Sequence, residues 1–384
     1  MSFEFMTTPR LILKAGGLDD LGTLMAGLGV TRALVVCDPG MVACGFAERA
    51  RVSLVAAGLT AEVFADVQAD PPMAVVKRAV DMARGFGADG IVGLGGGSSL
   101  DTAKLVALAA RTGQPLDDMI GTDKATGRRM PLVQVPTTAG TGSEVTWVSV
   151  VTSDNHEKKA IYAPQLLPDI ALLDATLTLG MPRHITAATA LDAMVHAIEA
   201  STSRTRKNML ADAMAEKALA LLAGNFRRVL DVPSDLAARE QMLLGATLAG
   251  MAFVNASVGA VHALSYPLGT GFHVPHGHAN ALVMGRVFRF NMPAAEKEYA
   301  RLATHVLPGR HFISPGQAAA AMIDELEAMF AESGLETRLS KLGVTEAAIP
   351  TMAREVVEKI SRLIAANPRD MDLDDVQSIY RDAL

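Results

Sequence analysis

The sequence predicts an α/β N-terminal domain built on a mostly parallel sheet, followed by an all-α C-terminal domain. Three observations carry this. The first half alternates short apolar, β-rich runs with amphipathic stretches. Two of those runs end in loops of glycines and hydroxyls. Beyond Gly180-Met181-Pro182 the composition turns to Ala, Leu, Met and Glu at helical spacing.

A chain of 384 residues exceeds one hydrophobic core of usual size and suits two domains. Half of it is apolar and a fifth charged, the balance of a globular protein. The formal net charge of −6 comes with no basic run, so nucleic acid and anionic membrane surfaces are not expected partners. No stretch reaches the roughly 18 consecutive apolar residues of a membrane span. The opening MSFEFMTTPR shows no basic region followed by an apolar one, and a cytoplasmic protein is expected. Two cysteines, Cys37 and Cys44, are too few for a disulfide framework and are expected as thiols.

In chain order, ALVVCD (33–38) reads as a buried strand that leaves through Pro39-Gly40. Residues 41–57 have helical spacing, and AEVFADV (61–67) is a second strand. A loop at Asp70-Pro71-Pro72 precedes a helix over 73–86. GIVGLGG (90–96) is a third strand running into glycines, LVQVPTT (132–138) a fourth, and WVSVVT (147–152) and DIALLD (169–174) complete the set. Strands alternating with helices of this length make βαβ units. Pro182, as a helix-starting proline or a linker, marks the boundary between domains 1–181 and 182–384. Helices are expected within 186–200, 208–226 and 239–253.

The segment from Gly93 to Lys104, GLGGGSSLDTAK, follows a strand and opens a helix. Glycines there let the backbone approach an anion, and free N–H groups at a helix start bind pyrophosphate. Ser98 stands where G-x-G-x-x-G needs its third glycine, and no Gly-Lys-Ser/Thr is present. Alone, the segment reads equally as a tight turn with Ser98 or Ser99 capping the helix. PTTAGTGSEVT (136–146) is a second such loop after a strand, and both would face the carboxyl-end crevice of a parallel sheet. Asp38 ends the first strand, where a carboxylate accepts from an adenosine ribose and repels a 2′-phosphate, favouring NAD over NADP; an Asp-Pro-Gly turn without a ligand is the other reading.

Asp192 and His196 stand four residues apart on one face of an Ala- and Met-rich helix. A mutual hydrogen bond would satisfy such a pair, as would an ion. The stretch VHALSYPLGTGFHVPHGHAN (261–280) holds four of the nine histidines: His262, His273, His276 and His278. That density has the look of a metal site.

With these pieces in order, GGGSSLDTAK, PTTAGTGSE, GMPRHITAATALDAMVHAIEA, VHALSYPLG and VPHG, the sequence resembles the iron-containing (group III) alcohol dehydrogenases over nearly its whole length. The resemblance implies a dehydroquinate synthase-like architecture, a dinucleotide-binding α/β domain with an all-helical one and an active site in the cleft between them. It places metal ligands at Asp192, His196, His262 and His276, for Fe(2+), with Zn(2+) as the alternative. It places NAD contacts at Asp38, Gly96, Gly97, Ser98, Thr137, Thr138, Thr146 and Lys158; Asp101, in the same glycine-rich segment, joins this set. His278 falls beside the metal site, and His156, His184, His305 and His311 match no motif.

The activity implied is NAD(H)-linked alcohol dehydrogenation or aldehyde reduction, a hydride passing between nicotinamide C4 and a small alcohol or carbonyl compound. Maleylacetate reduction and hydroxyacid–oxoacid transhydrogenation are the alternatives within the family. Dehydroquinate synthase and the zinc glycerol dehydrogenases offer a second class on the same plan, and a scaffold that had lost its chemistry would lack a ligand. One position departs from the family: many members carry a histidine four residues after the third ligand, where this chain has Tyr266. Tyr266 and His273 are therefore the candidates for proton exchange, with solvent as the alternative. A homo-oligomer, in the simplest case a dimer, is expected from the family.

Overall fold

The computed structural model describes residues 2–153 and 157–384, so His156 lies outside the described residues. The chain divides into two compact units, one spanning Met6–Gly180 and the other Met181–Leu384 together with the N-terminal segment to Phe5. The sequence placed those first residues with the α/β part.

The first unit carries strands β1 (Arg10–Leu13), β2 (Arg32–Val36), β3 (Thr60–Phe64), β4 (Gly90–Gly95), β5 (Gly121–Thr122), β6 (Leu132–Pro136), β7 (Val148–Thr152), β8 (Lys158–Tyr162) and β9 (Ile170–Leu173). Its helices are α1 (Leu21–Gly27), α2 (Pro39–Ala43), α3 (Phe46–Ala56), α4 (Met73–Phe86) and α5 (Gly97–Thr112). Six strands form one sheet in the order β1-β9-β6-β4-β2-β3, and every pairing in it is parallel.

Both faces of this sheet are covered, which is why its central strands read as apolar runs without alternation. Leu34, Val36, Ile91 and Leu132 pack with Val76 of α4 and Val106 of α5. Ala33, Val35, Val92, Val133 and Val135 point the other way, against Leu21 and Met25 of α1 and Leu54 of α3. β3 lies on one side of β2 and β4 on the other. The winding therefore reverses between β2 and β4, and their carboxyl ends flank the crevice where such sheets take ligands.

Three expectations needed revision. Residues 41–57 do not form one helix: Gly45 sits in the left-handed region at φ +77° and separates α2 from α3. The strand at 147–152 is β7, which leaves the main sheet and pairs antiparallel with β8 in a three-stranded sheet β5-β8-β7. β8 and the edge strand β1 carried too few β-branched residues to be read as strands.

The second unit is helical: α6 (Arg183–Thr202), α7 (Met209–Asp231), α8 (Leu236–Ala256), α9 (Ala260–Phe272), α10 (His276–Val306), α11 (Pro315–Glu332), α12 (Ile349–Lys359), α13 (Ser361–Ala366) and α14 (Leu373–Ala383). Pro182 is the N-cap of α6 in extended conformation. α10 breaks helical geometry at Ala295, two residues after Pro293, where the proline ring crowds the preceding turn. α6 lies at the centre, packed by α7, α8 and α10, and its residues from Ala190 onward are buried on every side. A helix so enclosed has no polar face, so any ionisable group on it must find partners inside. Among the described residues no single helix is long and apolar enough to cross a membrane.

Candidate functional site

The cofactor candidates lie at the reversal of the α/β sheet. β4 ends at Gly95, whose φ of +141° is closed to most side chains, and a Cβ there would meet Ser99 Oγ at 2.7 Å and Asp38 Oδ2 at 2.9 Å. Gly96 is the N-cap of α5, so Gly97 and Ser98 occupy its first turn with the amides a helix start leaves free. A side chain at Gly97 would run into Thr141 Cγ2 at 2.9 Å; the second loop presses against this turn. Asp38 caps α2 by accepting from Gly40 N–H at 2.9 Å, and its other oxygen accepts from Ser99 Oγ at 3.2 Å. Thr137 N–H donates to Gly95 O at 3.0 Å, joining the two loops, and Thr138 is the side chain nearest Gly96. Lys158 is further along, on β8, with its ammonium 2.8 Å from Asp70 Oδ1.

Lys104, to which no role was assigned from sequence, clamps this region from within. Its fully buried ammonium donates to Ser143 Oγ (2.8 Å), Thr146 Oγ1 (3.0 Å), Val148 O (2.8 Å) and Asp101 Oδ1 (3.2 Å). Asp101 also accepts from Ser143 Oγ at 2.6 Å and Val150 N–H at 2.9 Å. Asp101 and Thr146 thus spend their polar atoms on bracing the loop. Burial pulls the Lys104 ammonium below its ordinary value, against the pull of Asp101 and Glu144.

In the helical unit, Asp192, His196, His262 and His276 converge, each offering one donor atom, all within 4.8 Å of one another. α6 supplies the first two from one face, α9 supplies His262 in its first turn, and α10 begins at His276. Separate helices account for the fourteen-residue gap between the last two. Gly277 sets the approach: a Cβ there would lie 2.3 Å from Ala188 O and 3.2 Å from Asp192 Cβ, so only glycine lets α10 start against α6.

The Nε2 atoms of His196, His262 and His276 stand 3.9, 3.8 and 3.7 Å from Asp192 Oδ1. Around a tetrahedral ion with bonds of about 2.1 Å, donors lie about 3.4 Å apart, so the set fits a transition-metal ion with slight contraction. Three of the four side chains are almost wholly buried, whereas His276 is 32 % exposed and gives the site its wet side. Burial works to raise the Asp192 carboxyl, but His196, His276, His262 and the Asn280 amide outweigh it and hold it below the usual carboxylate range.

Two further residues complete the surroundings. Asn280, one turn after His276, is fully buried with Nδ2 2.6 Å from Asp192 Oδ1 and 3.3 Å from Nε2 of both His262 and His276, while its Oδ1 has no hydrogen-bond partner among the described residues. Glu199, on α6, has Oε2 2.6 Å from His262 Nδ1. Neither was singled out from sequence. Both stand at helical spacing from candidate ligands, 199 on the face of 192 and 196, and 280 four residues after 276, a spacing that does not by itself say what they contact.

Tyr266 lies beside the cluster, its ring centroid 6.2 Å from that of His276. His273 ends α9 in the left-handed region and is outside the donor set. His278 turns away, its Nε2 2.7 Å from Glu336 O.

Comparison with known proteins agrees on both units. The family described as iron-containing alcohol dehydrogenase matches residues 8–175, and the Fe-containing alcohol dehydrogenase family, C-terminal, matches 186–384. The chain is 35% identical over 371 residues to Long-chain-alcohol dehydrogenase 1 of Geobacillus thermodenitrificans (strain NG80-2), covering 96% of this chain and 93% of that one. A crystal structure of a 1,3-propanediol oxidoreductase superimposes with a TM-score of 0.96 at 32% identity, covering both chains completely. Sulfoacetaldehyde reductase from Bifidobacterium kashiwanohense, solved in complex with NAD+, gives a TM-score of 0.91 at 27% identity, with 100% of this chain and 99% of that one covered.

Proposed function

Because the chain belongs to the iron-containing alcohol dehydrogenase family, we propose that it interconverts a small alcohol and its aldehyde or ketone with NAD(H), using a divalent cation held by Asp192, His196, His262 and His276. The observation that carries this reading is the convergence of one carboxylate oxygen and three imidazole nitrogens in a buried place. Bringing a carboxylate and three imidazoles this close, three of the four side chains almost wholly buried, is costly unless something shared holds them, and a cation accepts from all four at once. When bound, the cation supplies Lewis-acid polarisation of the substrate oxygen, and the nicotinamide takes or gives the hydride.

The chain's own part is placement. A nitrogen-rich set with one carboxylate suits iron or zinc, and the family makes iron our choice. The first turn of α5 offers backbone amides for a pyrophosphate, and Asp38 offers a carboxylate for a ribose, which favours NAD over NADP. The family relative solved with NAD+ supports the same choice. Tyr266, next to the partly exposed His276, is our candidate for handing a proton to or from solvent. Cys37 and Cys44 are both free, as in a reducing compartment such as the cytoplasm.

Metal analysis of anaerobically purified protein, with NADH oxidation followed against a panel of aldehydes, tests the proposal. Bound metal and metal-stimulated turnover are expected. Neither bound metal nor stimulation would end the dehydrogenase reading. Turnover between two substrates with no consumption of free NADH would move it to transhydrogenation. His262→Ala should lose the cation and cut activity by at least about 100-fold, since even indirect partners of a ligand are worth 10–100-fold.

A further inference from the structure

We propose that Glu199 is a positioning residue for the metal centre, fixing the tautomer of His262 with one carboxylate oxygen and seating the start of α9 with the other. The inference rests on the metal-centre reading above.

The two oxygens serve two donors. Val261 N–H donates to Oε1 at 2.7 Å, and His262 Nδ1 lies 2.6 Å from Oε2. Val261 is the second residue of α9, so its amide is one of those a helix start leaves without an intrahelical acceptor. The N-cap of α9 is Gly259, which has no side chain to offer. Glu199, reaching across from α6, takes over the capping, and its charge suits a helix N-terminus. The glycine keeps that approach open: a Cβ on Gly259 would stand 3.3 Å from Glu199 Oε1.

The second oxygen sets the chemistry of the ligand. A carboxylate only accepts, so the proton of a neutral His262 ring is held on Nδ1. The lone pair is then on Nε2, the atom 3.8 Å from Asp192 Oδ1 and among the four donors. The opposite tautomer would turn an N–H toward the cation and could not bind it. Glu199 is 4 % exposed, so water does not compete for either bond. One carboxylate therefore couples the placement of a helix to the protonation pattern of the ligand it carries.

A carboxylate that only caps α9 would look the same in a stability assay, so the test reads the ring itself. In the metal-free wild-type protein labelled with nitrogen-15 histidine, two-bond proton–nitrogen spectra should show His262 protonated at Nδ1; its signals are assigned by their loss in His262→Gln. A proton on Nε2 overturns the proposal. In Glu199→Gln one amide oxygen faces two donors, so Co2+ titration under anaerobic conditions should show about 10–100-fold weaker binding than wild type. A variant that is less stable but binds Co2+ as tightly as wild type leaves Glu199 a cap alone and overturns the proposal. Failure of the wild-type protein to take up Co2+ strikes the metal-centre reading instead, and the tautomer spectrum then decides by itself whether Glu199 sets the ring.

Discussion

At the scale of single residues, Asp192 is where the candidate centre is organised. Its Oδ1 lies within 3.9 Å of three imidazole nitrogens and 2.6 Å from the Asn280 amide nitrogen. Beside the three histidines, this amide is the neutral donor that helps the carboxylate stay ionised while buried. Asn280→Asp replaces it with a second carboxyl at the same distance, and two such groups cannot both ionise cheaply. In urea unfolding with EDTA the variant should be less stable than wild type by about 3 kcal/mol, and the gap should narrow with Zn2+ because a cation satisfies both carboxylates. Equal stability in EDTA would mean that the Asn280 amide does not support the buried carboxylate. In the sequence the Asp–His spacing and the histidine-dense stretch only hinted at a metal site, and the candidate ligand set came from the resemblance to a known family. Asn280 and Glu199 were not legible there, because a buried amide and a buried carboxylate have no signature until their neighbours are known.

Among the elements, α5 shows how a buried charge can brace two loops. Its Lys104 ties the helix to the segment running from Ser143 to Val148, and Gly97 lets Thr141 sit on the helix start. Lys104→Met keeps the length and removes the donors, leaving Asp101 without its cation. A loss of about 3 kcal/mol in urea unfolding is expected, with a raised Kd for NADH by fluorescence titration. Unchanged NADH binding would show that the brace does not order the loops proposed to take the cofactor. The glycine-rich turn was recognisable from its strand-to-helix position. That Asp101 serves the brace was not, since Asp101 gains its partners only when β7 and the second loop fold over α5.

For the molecule as a whole, acid stability follows from carboxylates that hold their protons less tightly when folded. Asp89 joins the entry of β2 to that of β4, accepting from the Thr31 hydroxyl and from the Thr31 and Arg32 amides. Burial works to raise its carboxyl, but these donors outweigh it and hold it below the usual carboxylate range. A depressed carboxylate pKa gives stability that is present above the unfolded value and lost as pH falls through the folded one. Asp89→Asn should therefore lower the urea midpoint at pH 7, and the difference from wild type should shrink at pH 2.5; a constant difference would contradict this. The sequence by itself determined the parallel α/β part and the helical part, through apolar runs that need two covered faces and through helical spacing. Through the ordered motifs that resemble a known family, it also pointed to the side chains proposed to hold a metal, because ligand chemistry belongs to residue types. Only the tertiary structure decided that β7 and β8 leave the main sheet, that α6 is enclosed on every side, and that Glu199 and Asn280 stand against the donors. Those outcomes depend on which surfaces meet, and contacts between residues 63 or 88 positions apart in the chain leave no local trace in the sequence.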